Sequence, residues 1–102
     1  MILETGQSLA SAVDTTTVIV VRAPADEITL TCGGVPMVPG KVAGGDGSAI
    51  AAAHTGGAQL GKRYVDDHAG LELLCTKGGV GRLEANGAAL LIKTAKPLPS
   101  SD

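Results

Sequence analysis

Four side chains in this sequence have the chemistry of metal ligands or reactive thiols, and they are two cysteines and two histidines. They are Cys32, His54, His68 and Cys75. Thiolates and imidazoles are ligands of tetrahedral zinc, so four such groups would complete a site. No two of them have the close spacing of a metal-binding motif, so distant parts of the chain would have to converge. The sequence therefore offers a zinc or iron site as one hypothesis and two free thiols as the other.

Cys32 is the better placed of the two cysteines because it ends a predicted strand and directly precedes Gly33 and Gly34. Backbone N–H groups of such a turn would stabilise a thiolate and lower its pKa, which would make Cys32 a ligand or a nucleophile. The alternative is a small, half-buried side chain at a strand end. Cys75 continues the apolar run at residues 71–74, so we expect it to be a buried structural thiol.

The residue patterns of common enzyme sites are missing. The glycine cluster at residues 44–47 is followed by Ser48, where a phosphate-binding loop would have a lysine and then a hydroxyl residue. Asp66 and Asp67 would point to opposite sides of an extended chain, so they do not converge as a general acid and base. Asp66-Asp67-His68 is expected to be a polar turn before a strand. We therefore predict that the chain is not an enzyme.

Composition narrows the possible partners. The 102 residues include one Tyr, no Phe and no Trp, and 8 Lys and Arg face 10 Asp and Glu. Without aromatic platforms or a basic patch, we expect no nucleic-acid partner. No apolar run is long enough for a membrane span, and the first residues lack a signal-peptide pattern, so we expect no membrane contact and a cytoplasmic location. In that reducing compartment two unpaired cysteines are expected.

The elements that would position these residues are β-strands. Residues 15–22 are almost wholly β-branched, and residues 27–31 alternate as a returning strand after a proline turn. Together they predict a hairpin that ends on the turn residues Gly33 and Gly34. Asn86-Gly87 predicts the two-residue turn of a second hairpin, because this pair readily adopts positive φ twice. The fold class is therefore predicted as mostly β, with little helix.

A comparison of the chain with itself suggests an internal repeat. When residue numbers are shifted by 53, residues 18–21 align with residues 71–74 and Gly34 aligns with Gly87. When the shift is two residues smaller, residues 6–9 align with residues 57–60. Chance similarity is the alternative, because the composition has little variety.

The repeat predicts two small antiparallel β units, residues 6–37 and 57–93, within one small domain. A mobile, glycine-rich linker (residues 38–56) would join them, and residues 94–102 would form a flexible tail. Each unit is too small to have its own core, so the two apolar faces are expected to pack on a shared one.

The first hairpin and its turn resemble the desulforedoxin-like unit, a rubredoxin-related fold also found at the start of desulfoferrodoxins. In that family a Cys-x-x-Cys precedes the strand and a Leu-x-Cys-Cys-Gly-x-Pro-Met turn follows the returning strand, so that four thiolates hold one iron. The resemblance extends over positions 12–37 and more faintly over the second unit. The residues that match the turn motif are Leu30, Cys32, Gly34, Pro36 and Met37.

The departures from this pattern concern the ligands. Gly33 stands where the second turn cysteine belongs, and residues 12–16 contain no cysteine. In the second unit Ala85 and Asn86 stand where the family has the two cysteines of the turn. His68 falls near a position where the family has a cysteine of the leading Cys-x-x-Cys. One remaining thiolate cannot hold iron, because affinity needs several converging soft ligands. The resemblance therefore implies a relative that kept the scaffold and lost the metal, with no cofactor.

These observations predict a non-enzymatic accessory or protein-interaction module that docks to another protein or to a second copy as a homodimer. Apolar strands with few charges, such as residues 18–21, would be an aggregation hazard at an open edge, and a partner would cover them. The first alternative is a zinc or iron protein, or a thiol redox protein, that uses Cys32. The second is a small-molecule binding protein with a pocket between the two units.

Overall fold

The computed structural model describes residues 2–40, 43–45, 47 and 50–93. The fold is mostly β, as predicted, and the helical part of these ranges is a 3-10 turn at Ala52–His54. No helix in them is long and apolar enough to cross a membrane. The strands are β1 (Ser8–Ala10), β2 (Thr17–Arg22), β3 (Leu30–Cys32), β4 (Val35–Pro36), β5 (Val38–Pro39), β6 (Thr55–Ala58), β7 (Arg63–Asp66), β8 (Leu71–Lys77), β9 (Gly79–Gly81), β10 (Leu83–Ala85), β11 (Ala88–Ala89) and β12 (Leu91–Ile92).

The largest sheet has six strands in the order β12-β7-β8-β2-β1-β5, and every neighbouring pair is antiparallel. Its two central strands are β2 and β8. β2 is the β-branched segment that the sequence predicts, beginning at Thr17 instead of residue 15. β-branched side chains pack well on a pleated surface, which is why this segment is found at the centre of the sheet.

The second sheet consists of two hairpins side by side, in the order β11-β10-β3-β4. Asn86 and Gly87 form the β10–β11 turn with φ values of 51° and 84°, which confirms the predicted hairpin. Gly33 and Gly34 connect β3 to β4 with φ values of 65° and 82°. The predicted hairpin of residues 15–22 with residues 27–31 is wrong, because β2 pairs with β1 and β8 in the first sheet, whereas β3 pairs with β4 and β10 in the second. The hairpins are joined because β3 pairs antiparallel with β10. A third, two-stranded sheet pairs β6 with β9.

The core draws on both halves of the chain, as the predicted shared core requires. One cluster of buried side chains contains residues from β1, β2 and β3 together with residues from β7, β8 and β10. Tyr64 is its aromatic member, and the rest is aliphatic or small. Its larger side chains are Leu3, Leu9, Val18, Val20, Ile28, Leu30, Met37, Tyr64, Leu71, Leu73, Leu83 and Leu90.

A hydrogen bond that closes the β3–β4 hairpin recurs in the β10–β11 hairpin at the predicted offset of 53. Met37 N–H donates to the Leu30 carbonyl at 3.0 Å, and Leu90 N–H donates to the Leu83 carbonyl at 3.0 Å. In the two larger sheets the strands from one half of the chain lie together, and equivalent strands lie at equivalent distances from the middle. The offset that the sequence predicts therefore describes the hairpins.

The predicted offset is wrong for the strands before the hairpins. Gly6 N–H donates to the Val20 carbonyl at 2.7 Å, and the matching bond, at an offset of 55, runs from Gly61 N–H to the Cys75 carbonyl at 2.9 Å. Residues 6–9 therefore match residues 61–64 instead of 57–60, and β2 matches β8 at 55 instead of 53. The two offsets differ because the connection from β2 to β3 is two residues longer than the connection from β8 to β10.

The central strand pairs of both sheets join equivalent residues. Ile19 pairs with Leu74, its equivalent at the offset of 55, and Thr31 pairs with Glu84, its equivalent at the offset of 53. An antiparallel pair whose middle residues are equivalent is what a two-fold rotation produces. In these two sheets the halves are thus arranged about an approximate two-fold axis through the middle of the sheet.

The predicted linker, residues 38–56, contains strand residues at both of its ends. β5 lies inside this range and pairs with β1, and β6 begins at Thr55. Gly44 N–H donates to the Ser11 carbonyl at 2.8 Å, and Gly47 N–H donates to the Val13 carbonyl at 2.9 Å. The glycines permit close packing against the loop after β1. The predicted tail, residues 94–102, lies outside the described residues.

The β10–β11 turn provides a test of backbone strain. A Cβ added at Gly87 would have no atom within 4 Å, so a new side chain would meet no steric clash. The cost of a substitution is then only the free energy of holding an L-residue in the left-handed conformation at φ 84°. We expect Gly87→Ala to lower the free energy of unfolding by about 1–2 kcal/mol, measured by urea denaturation. Gly87→Asn is the matched control and should lose less, because Asn visits this conformation more readily. Equal losses for both variants would contradict the assignment.

Candidate functional site

Cys32 ends β3 and is completely buried. Its Sγ donates to Asp14 Oδ1 at 3.7 Å. The backbone of β9 passes directly against it, since a Cβ added at Gly81 would lie 2.9 Å from the Cys32 Sγ. The thiol is therefore enclosed by protein groups and has no open face toward a substrate.

Asp14 is the charged group at the centre of this site, and it is only 1% exposed. Its Oδ1 accepts the N–H of Thr16 at 2.9 Å. Its Oδ2 accepts the N–H of Gly81 at 2.7 Å and the hydroxyl of Thr16 at 3.1 Å. A buried carboxylate is costly unless such donors surround it, and here three oriented donors do so.

The loop that presents Asp14 is shaped by Ser11, which is also buried. The Ser11 Oγ accepts the N–H groups of Val13 and Asp14, each at 3.1 Å. Hydroxyl side chains commonly stabilise turns by such local bonds to the backbone. We call Ser11, Asp14, Thr16, Cys32 and Gly81 the Asp14 cluster.

Burial and hydrogen bonding shift the pKa values of the two titratable groups of the cluster, Asp14 and Cys32, in opposite directions. Burial alone would raise the pKa of Asp14, but hydrogen bonds from Gly81, Thr16 and Ser11 outweigh it, so this pKa is lowered. Burial raises the pKa of Cys32 to about 11, and the nearby Asp14 charge adds to the rise. The expectation that the glycine turn lowers the pKa of Cys32 is therefore wrong. Cys32 is a neutral thiol beside a carboxylate.

Cys75 lies on β8 and is 1% exposed, which confirms the predicted buried thiol. Its Sγ donates to the Lys77 carbonyl at 3.2 Å. Burial raises the pKa of Cys75 as well. Both cysteines are free thiols.

A second polar cluster surrounds Glu84, which is 4% exposed on β10. Arg82 Nε donates to the Glu84 Oε2 at 2.9 Å, and His54 Nδ1 lies 3.4 Å from the Glu84 Oε1. The His54 ring packs on the first hairpin turn, because a Cβ added at Gly34 would lie 2.7 Å from its Cδ2. Sequence reasoning missed Arg82 and Glu84, although their i, i+2 spacing in an extended chain places them on one face.

The four predicted metal ligands do not form a site. His68 is exposed in the β7–β8 turn, where its N–H donates to Asp66 Oδ1 at 3.1 Å. This confirms the predicted polar turn. Among the described residues, no group of three or more His, Cys, Asp or Glu side chains could hold a metal ion. The structure does not bring Cys32, Cys75, His54 and His68 together as the composite site requires.

Comparison with known proteins finds no family model, no curated protein and no solved structure that matches this chain. The resemblance to desulforedoxin-like units therefore depends on the hairpin residues themselves. The geometry of the Asp14 cluster is the further observation that bears on what the chain does.

The ionised Asp14 should stabilise the fold at neutral pH. Because its pKa is lowered, this stabilisation is present above the ordinary value of 3.8 and is lost as the pH falls through the lowered pKa. Asp14→Asn should therefore cost about 2–4 kcal/mol at pH 7, and the difference from the unsubstituted protein should shrink below pH 3.8. Urea denaturation across this pH range measures it.

Asp67 offers a matched control for that experiment, since it is an exposed aspartate in the β7–β8 turn. Asp67→Asn should change the unfolding free energy by less than about 0.5 kcal/mol at either pH. An Asp14→Asn loss that stays the same from pH 7 to below pH 3.8 would contradict the assignment of a stabilising charge.

Cys32 should react slowly with iodoacetamide in the folded protein. At pH 8, raising its pKa from 9.0 to about 11 lowers the thiolate fraction about a hundredfold, and burial adds to the protection. Mass spectrometry of alkylated peptides should show rapid labelling of both cysteines only after unfolding in urea. Rapid labelling of native Cys32 would mean that the thiol is accessible and activated.

Proposed function

We propose that this chain is a non-enzymatic accessory module, a desulforedoxin-like scaffold without its metal, that acts by binding another protein. The observation that supports the lost metal is the Asp14 cluster. Ser11 and Asp14 have the spacing of the family's Cys-x-x-Cys, and both are buried with Cys32. Three of the four ligand positions thus converge, but only one of them is a thiol.

The cluster replaces metal coordination with hydrogen bonds. The Ser11 Oγ, the Asp14 carboxylate and the Cys32 Sγ all have protein partners. The fourth position, Gly33, is occupied by neighbours, since a Cβ there would lie 2.9 Å from the Ile50 side chain and 3.0 Å from that of Val13. A metal would have to displace these bonds and deprotonate a thiol whose pKa is about 11.

The sheet edges support a protein-binding role. The six-stranded sheet ends in β12 on one side and β5 on the other, and both carry exposed apolar side chains. Leu91 is 70% exposed, Ile92 42% and Val38 43%. Edge strands of this kind offer unpaired backbone groups and apolar side chains to another chain. The absence of a convergent catalytic or metal-binding set among the described residues leaves this surface as the better supported feature.

Elemental analysis of the purified protein, combined with native mass spectrometry, tests the proposal. We expect far less than one zinc or iron per chain, and a mass that shows a complex with a partner or a second copy. Stoichiometric metal would contradict the loss of the site and favour the metal-binding alternative. A chain that stays monomeric and uncomplexed at high concentration in extract would contradict the protein-binding role.

Restoring the ligands tests the scaffold itself. The triple variant Ser11→Cys, Asp14→Cys, Gly33→Cys supplies four thiols together with Cys32. The Ile50 and Val13 side chains have to move aside for the new side chain at position 33, and we expect the variant then to bind about one zinc or iron per chain. The matched control adds Cys32→Ser and should bind much more weakly, because it has three thiols. A triple variant that folds by circular dichroism and binds no metal would contradict the desulforedoxin-like geometry.

A further inference from the structure

The two edge strands of the six-stranded sheet are held to it by equivalent hydrogen bonds. Just past β5, Gly40 N–H donates to the Ser8 carbonyl of β1 at 2.9 Å. Just past β12, Lys93 N–H donates to the Arg63 carbonyl of β7 at 2.8 Å. Bonded and non-bonded residues alternate along an antiparallel pair. In each edge strand, the residue before the donor therefore directs its own backbone groups away from the sheet, toward the open edge.

The two outward residues differ in what they offer at the edge. In β5 the outward residue is Pro39, which has no N–H, and in β12 it is Ile92, which has one. The four-stranded sheet repeats this difference, since the outward residue is Pro36 in β4 and Ala89 in β11. Proline at an edge lacks the donor that a further strand needs for pairing. The first half of the chain therefore closes its edges, and the second half leaves its edges open.

The lysine next to β12 is turned away from the open edge. Exposed lysines commonly keep the edges of sheets apart. Lys93 directly follows β12, but its Nζ binds Glu72 Oε1 of β8 at 3.1 Å, and β7 lies between β8 and β12. The ammonium group is therefore drawn back over the sheet, while Leu91 and Ile92 remain exposed at the edge.

The edge of β12 is complementary to a second copy of itself. When two such strands pair antiparallel with Ile92 opposite Ile92, each Ile92 N–H meets the carbonyl of the other, so both outward groups are satisfied. Leu91 then lies opposite Lys93 of the second copy, whose aliphatic stem can cover it. The two halves of the chain already associate in this way, because β2 and β8 place the equivalent residues Ile19 and Leu74 opposite each other.

We propose that the chain forms a two-fold dimer in which β12 of one copy pairs antiparallel with β12 of the other, which joins the two six-stranded sheets. Pro39 closes the opposite edge of each sheet, so association stops at two copies instead of continuing as an open-ended assembly. The inference rests on the protein-binding role proposed above, and it names the edge that is used and the second copy as its occupant.

Translational diffusion of the ¹⁵N-labelled full chain, measured by NMR from about 20 µM to about 2 mM, reports the association. We expect the average mass to rise from one chain to two, because a short edge gives a weak interface with a dissociation constant on the order of 100 µM. The amides of Leu91, Ile92 and Lys93 should shift with concentration. In a mixture of ¹³C-labelled and unlabelled chains, filtered NOEs should connect Leu91 of one copy to Lys93 of the other.

Substitutions can exchange the edge residues of the two halves. Ile92→Pro removes the outward N–H, as proline does at the equivalent position 39, and should weaken dimerisation about tenfold or more. Ile92→Ala is the matched control, because it also loses the isoleucine side chain but keeps the N–H, and it should weaken dimerisation less. Pro39→Ile opens the other edge, so assemblies larger than two chains should form at the same concentrations.

Any of four results would overturn the inference. The first two are a monomer at the highest concentration and concentration-dependent shifts centred outside residues 91–93. The other two are an Ile92→Pro variant that dimerises as tightly as Ile92→Ala and a Pro39→Ile variant that stays dimeric. If Ile92→Pro does not fold, the concentration series, the NOEs and Pro39→Ile still decide the matter.

These readouts are separate from those of the proposed function. A chain that stays monomeric and binds a different protein would refute the dimer and leave the proposed function in place. Stoichiometric metal would refute the proposed function without changing the diffusion or the NOEs.

Discussion

The hydrogen bond from Gly81 N–H to the buried Asp14 carboxylate is the interaction on which the local structure most depends. It joins two distant parts of the sequence, since it connects the loop after β1 in one half to β9 in the other. The approach is close enough to exclude side chains, since a Cβ at Gly79 would lie 2.5 Å from Asp14 Oδ2 and one at Gly81 3.1 Å from it. A buried charge left without these donors would be strongly destabilising, so the loop and β9 hold each other in place.

The two halves share a backbone arrangement but differ in the side chains that it carries. The position of Asp14 corresponds to Ala69 in the second half at the offset of 55, and that of Cys32 corresponds to Ala85 at the offset of 53. The second half therefore has no equivalent of the Asp14 cluster. One backbone plan thus carries a buried polar centre in one half only.

The sequence predicts the strands and the hairpin turns because their signals are local. β-branched residues define β2, and Asn86-Gly87 is a pair that readily adopts positive φ in such a turn. The site is less predictable, because nothing in the residues around Asp14 distinguishes a buried, hydrogen-bonded aspartate from a solvated one. The pKa of Cys32 depends on β9, whose contact with β3 no local pattern encodes. The offset of 55 could not be predicted either. The loops differ slightly in length, and a sequence made largely of small residues has too few distinctive positions to reveal that difference.

The edge strand β12 is tied to its neighbours by charges centred on Glu72. Glu72 on β8 is 7% exposed and binds Arg63 of β7 at 2.9 Å and Lys93 after β12 at 3.1 Å. Hydrogen bonding to Lys93, and then to Arg63, lowers the pKa of Glu72, so the carboxylate stays ionised and holds both cations at neutral pH. Exposed pairs contribute little stability singly, but here two cations share one buried carboxylate across three strands. β12 is therefore fixed against β7, which presents Leu91 and Ile92 in one geometry. A binding surface that is ordered beforehand loses less conformational entropy when a partner arrives, and this is the condition under which a short edge strand can bind an extended segment.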